Sequence, residues 1–154
     1  FSELFTSAEL ADVTVLESVW HSNSYLENNG NGHFSISPLP VEAQFSPIND
    51  IAVDDFDGDG NLDALTVGNS FAPETQRGWQ DASIGQLLRG DGKGNFIPTT
   101  LGESGFLVDT DAKSIVSLKY ANGSTFWIIS SNNDSLMVYG KRRPNRESTL
   151  ALRP

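Results

Sequence analysis

A nine-residue segment of this chain recurs 62 positions later (96 − 34), and that repeat limits the architecture more than any other feature. Leu26-Glu27-Asn28-Asn29-Gly30-Asn31-Gly32-His33-Phe34 is echoed by Leu88-Arg89-Gly90-Asp91-Gly92-Lys93-Gly94-Asn95-Phe96, each with apolar residues, a glycine-rich turn and a phenylalanine. Such Asn-Gly and Asp-Gly steps supply positive φ at low cost and favour tight hairpins. A weaker copy concerns the other half of the unit: Ile51 to Asn69 resembles Ile115 to Asn132, both reading as strand, loop, strand, asparagine.

A period near 60 with about four short strands per unit points to β-propeller blades, small antiparallel sheets packed face to face. The expected class is therefore all-β, a partial propeller. Residues 1–47 read as a partial first blade, 48–100 as a complete blade, 101–140 as a degenerate blade, and 141–154 as a basic tail that adds a closing strand at Ser148 to Leu152. The complete blade takes its strands from Ile51 to Asp54, Ala64 to Gly68, Gly85 to Arg89 and Asn95 to Pro98; Lys113 to Lys119, Thr125 to Ser131 and Ser135 to Tyr139 belong to the next. Upstream, Asp12 to Glu17 alternates well enough to be a strand, Thr6 to Leu10 caps a short helical turn, and Ser22 to Glu27 pairs with His33 to Ile36 until Pro38 and Pro40 end the pairing. A ring takes about four to eight blades. About two and a half units cannot close one, so exposed edges and faces imply self-association or the remaining blades of a parent propeller.

The strand-to-strand loop Asp55-Phe56-Asp57-Gly58-Asp59-Gly60-Asn61-Leu62-Asp63 is the candidate chemical centre. Carboxylates at its first, third, fifth and ninth places converge as the glycines let the backbone curl, forming a cage for a hard cation. Ca²⁺ suits it best, because calcium accepts six to eight oxygens in flexible geometry and nothing nearby offers sulfur or imidazole. The expected ligands are the side chains of Asp55, Asp57, Asp59 and Asp63, with the Asn61 carbonyl. An EF-hand is excluded: its twelfth position requires a bidentate Glu and here is Thr66, and the flanks are short apolar runs rather than helices. In the decayed copy Lys119, Ala121 and Gly123 replace Asp55, Asp57 and Asp59, so one ion site is expected and not two.

Between Phe71 and Ile84 runs a longer connection in which Arg77, Trp79, Gln80 and Asp81 are suited to stack on and hydrogen-bond a sugar or a peptide. The alternative has Trp79 filling space beneath the loop while Arg77 and Asp81 pair. The net charge of −10 argues against nucleic acid as a partner, since phosphate binding needs a basic face. The charge is uneven: five of the 10 basic residues stand from Lys141 onward beside one acid, Glu147, which leaves 5 basic and 19 acidic residues in the body. That tail is expected to be solvated or to contact the acidic body. The absence of cysteine removes disulfides and thiolate chemistry, and no apolar run reaches the ~20 residues of a membrane helix. The start, Phe1-Ser2-Glu3-Leu4, has neither an initiator Met nor a signal-peptide pattern, as expected of a piece of something longer.

On the loop Asp55 to Asp63 and the glycine turns ending in Phe34 and Phe96, the chain resembles the FG-GAP or VCBS repeats of calcium-binding β-propellers, such as integrin α-subunit heads. The resemblance spans about Tyr25 to Tyr139. It implies an ion in the hairpin between the first two strands of a blade, at Asp55, Asp57, Asp59, Asn61 and Asp63, in a secreted, periplasmic or cell-surface protein. It also implies an adhesion or ligand-binding scaffold, for protein or glycan, without catalysis. The competing readings are a glycan-acting hydrolase using paired carboxylates, Asp109 with Asp111 or Glu74 with Asp81, and a purely structural sector of a larger ring. His21 and His33, beside strand or turn, read as structural.

Overall fold

The computed structural model describes residues 4–6, 8–14, 16–71 and 78–141. Within them the fold is all-β, nine strands in three antiparallel sheets, none of which closes on itself. The strands are β1 (Ser24–Gly30), β2 (His33–Pro38), β3 (Ile48–Asp54), β4 (Asp63–Gly68), β5 (Gln86–Gly90), β6 (Phe96–Pro98), β7 (Ala112–Lys119), β8 (Thr125–Ser131) and β9 (Met137–Gly140). β1 and β2 form a hairpin, β3-β4-β5-β6 a four-stranded sheet in chain order, and β7-β8-β9 a three-stranded sheet.

The sequence repeat is preserved as hydrogen-bonding register. In the hairpin Leu26 faces Ile36, Glu27 faces Ser35 and Asn28 faces Phe34; 62 residues on, Leu88 faces Pro98, Arg89 faces Ile97 and Gly90 faces Phe96. β1-β2 thus corresponds to β5-β6. Likewise Asp50, Ile51 and Ala52 face Val67, Thr66 and Leu65, while Ser114, Ile115 and Val116 face Ser130, Ile129 and Ile128, so β7-β8 corresponds to β3-β4. The one marked departure lies between the second and third strands. Ala64 pairs with Leu88, 24 residues on, whereas Trp127 pairs with Tyr139, 12 residues on, so the central sheet carries a 12-residue longer connection (24 − 12).

The core forms where the central sheet meets the three-stranded one. Ala52, Leu65 and Val67 pack with Phe106, Val108, Ala112, Ile115, Trp127 and Ile129, and Phe56 lies 4.7 Å from Trp127, centroid to centroid. Polar groups lock the seam: Asp50 accepts from the Ser114 hydroxyl (2.8 Å) and the Ile115 N–H (2.9 Å), and the Asn49 amide donates to Ala112 O (2.7 Å). On the opposite face of the central sheet Leu88 is fully buried, and Tyr25 of the hairpin meets Phe96 edge-on at 5.5 Å.

Two outer faces remain apolar and open. Ile51 and Val53 are exposed on β3, and Val116, Leu118 and Val138 on the far side of the last sheet.

One sequence expectation is overturned. The described residues of Asp12 to Glu17 belong to no strand, and Val13 and Leu16 are exposed. Alternation marks a face that can be buried, but a strand also needs a partner edge, and none among the described residues pairs with this segment. The turn at Thr6 to Leu10 does form, with Glu9 accepting from the Thr6 N–H at 2.8 Å. Two short elements carried no periodic signal: a 3₁₀ turn at Val41–Gln44, and helix α1 (Leu101–Ser104) with a Thr100–Glu103 capping box. The proposed closing strand at Ser148 to Leu152 lies outside the described residues.

Candidate metal centre

The acidic loop joins β3 to β4, between Asp54 and Asp63, which pair across the ladder. Strand pairing fixes both ends of the loop. Gly58 and Gly60, at φ 86° and 92°, turn it back on itself, a conformation that strains residues bearing a Cβ.

Carboxylate oxygens of Asp55, Asp57 and Asp63 lie within 4.8 Å of one another. Backbone N–H groups aim each acid. Asp55 accepts from Gly58 (2.7 Å) and Gly60 (3.1 Å), and Asp57 from Asp59 (3.1 Å). Asp63 is fully buried, accepting from Phe56 at 2.8 Å through one oxygen and from Gly90 at 2.9 Å through the other. Asp63 therefore ties the loop to the end of β5. Asp59 lies outside this group: its carboxylate accepts from the Asn61 N–H (2.7 Å) and side-chain amide (3.0 Å). Those two bonds, backbone first, hold the Asp59 carboxyl below its usual range.

Three carboxylates this close repel by roughly 1 kcal/mol per pair in water, less where an exposed charge is screened by salt. Local cations supply only part of the compensation. Arg89 stands 4.0 Å from Asp57, and Lys141 makes an ion pair with Asp54 (3.4 Å) and donates to the Asp55 main-chain oxygen. The donor set is all oxygen, with one buried acid and two nearer solvent, and it fits a hard divalent cation.

Two glycines of the centre escaped the sequence reading, whereas contact of the basic tail with the acidic body was one of its two expectations. Gly90 is required because a Cβ there would stand 2.1 Å from Leu62 O. Gly92 lets the β5-β6 turn abut the loop, since a Cβ there would lie 2.5 Å from the Asn61 side-chain oxygen. Lys141 also sits over the Phe56 and Trp127 rings at 5.6 and 5.8 Å, bringing the first residue of the basic tail onto the acidic body. The glycine-rich echo pattern alone hinted at the two glycines.

In the longer connection Trp79 is 66% exposed and stacks on Phe71 at 5.3 Å, so it does not fill space beneath the loop. Gln80 and Asp81 are exposed beside it; Arg77, like Glu74, lies outside the described residues. Asp111, a candidate hydrolytic acid, is buried and bonded to Lys113 and Asn132. Burial pushes its carboxyl up, but the Lys113 and Asn132 hydrogen bonds outweigh that and hold it below the usual range. Among the described residues no helix is long and apolar enough to cross a membrane. No family model, curated protein or solved structure matches the chain.

Proposed function

We propose that the chain is a calcium-binding segment of FG-GAP or VCBS type that serves as an extracellular, non-catalytic ligand-binding scaffold. The observation that carries this reading is the gathering of Asp55, Asp57 and Asp63 at a strand-to-strand turn. The repeated register of β1-β2 in β5-β6 and of β3-β4 in β7-β8 supports it, because stacked equivalent sheets are how propellers are built. The open apolar faces on β3 and on the last sheet suit further blades or a second copy. When bound, calcium supplies charge neutralisation that locks the hairpin. Asp63 holds the loop to β5, Asp55 and Asp57 complete the oxygen set, and Gly58 and Gly60 permit the bend.

The test is a calcium titration read by the thermal midpoint, starting from chelator-treated protein. Calcium at 100 times its Kd stabilises a folded chain by about 2.7 kcal/mol. A midpoint that does not move in millimolar calcium refutes the metal reading. Asp57→Asn, which preserves the acceptor for the Asp59 N–H, is expected to raise the calcium-free midpoint slightly by relieving repulsion from Asp55 and Asp63, and to abolish most of the calcium-induced rise.

A further inference from the structure

The geometry points to a carbohydrate-binding groove at Trp79, to which residues 79–82, at the described end of the connection that the central sheet has and the last sheet lacks, contribute. The groove is an open depression of about 440 Å³ lined by His21, Asn23, Gln44, Ser46, Trp79, Gln80 and Asp81 among others. Its wall is held rigidly. Gln80 and Ser70 exchange two backbone hydrogen bonds of 2.9 Å, and the buried Ser46 hydroxyl accepts from the Ala82 and Ser83 N–H groups at 3.0 and 3.2 Å. Fully buried Asn69 clasps Ser83 from the other side, donating to its carbonyl and accepting from its N–H. On this support one face of the Trp79 indole is stacked against Phe71 with an interplanar angle of 15°, while two-thirds of the residue is open.

A supported aromatic plate open to water offers an apolar face for a ligand to stack on, and the groups around it define what fits. The side chains of Gln80 and Asp81 have no hydrogen-bond or ion-pair partner among the described residues, so the groove presents an amide and a carboxylate beside the plate. A pyranose matches both: its axial C–H face lies on indole, and its equatorial hydroxyls donate to the carboxylate and exchange bonds with the amide. An acidic ligand is disfavoured by Asp81 and by the net charge of −10. The groove and the acidic loop share no residue. The inference deepens the ligand-binding half of the scaffold reading and rests on that half alone, so its failure leaves the metal reading intact.

The test uses the whole chain with cellotriose, chitotriose and mannotriose as probes, measured by saturation-transfer NMR and tryptophan fluorescence in chelator and in millimolar calcium. Saturable binding of at least one probe is expected, equal in both buffers. Trp79→Ala and Asp81→Ala should each weaken it roughly tenfold or more, with thermal midpoints within a few degrees of the parent because both residues are exposed. Should one variant fail to fold, the other decides. Absence of binding to all three probes by folded protein overturns the proposal; so does affinity unchanged in the folded variants, or binding seen only with calcium.

Discussion

Replacing Asp63 by asparagine separates the two roles this side chain plays. The carboxylate is fully buried and accepts from the Phe56 and Gly90 N–H groups. Asparagine keeps one acceptor and turns an NH₂ toward the other donor, which leaves a buried N–H unpaired. Loss of a hydrogen bond to a charged acceptor costs about 3 kcal/mol at the upper end. Relief of repulsion from Asp55 and Asp57 returns about 1 kcal/mol, since the latter is exposed and its charge is screened. The net is about 2 kcal/mol, which lowers the midpoint of a chain this size by roughly 4–8 °C in chelator. Calcium should then add nothing, whereas the parent rises by about 5–11 °C when the ion is at 100 times its Kd. Circular dichroism melts in chelator and in calcium read both effects. A variant as stable as the parent in chelator would show that repulsion, not hydrogen bonding, dominates at Asp63. A full calcium rise would remove Asp63 from the ligand set.

Gly90→Ala forces a Cβ to 2.1 Å from a backbone oxygen, and is expected to cost about 3 kcal/mol or more in urea unfolding. Lys141→Ala removes an exposed ion pair and two ring contacts; the loss is about 1 kcal/mol, while calcium affinity measured by titration calorimetry rises a few fold as a competing cation leaves. Acid should weaken the seam between the central and last sheets. Asp50 and Asp111 are both held below their usual value of 3.8, so the stability they contribute is present above that pH and is lost as pH falls through their lower folded values. Urea midpoints taken between about pH 6 and pH 2.5 should fall most steeply below pH 3.8, and Asp111→Asn should flatten that fall.

Local order along the chain was written in the amino acids themselves. Apolar runs such as Ala64 to Val67 and Ile115 to Leu118, cut by Asn-Gly, Asp-Gly and proline, set which residues could be strands, and the 62-residue echo set that the units repeat. The loop Asp55 to Asp63 was recognisable for the same reason: turn glycines and closely spaced acids act over a few residues. Asp12 to Glu17 shows where such signals end, because a strand exists only when another edge accepts its hydrogen bonds. Tertiary structure alone decided that three of the loop's acids converge while Asp59 bonds Asn61, that Asp63 reaches Gly90, and that Lys141 reaches Asp55 across 86 residues. It also decided that Trp79 stands open on Phe71 beside His21. These outcomes depend on distances between segments remote in the chain, and those distances follow from how the sheets pack.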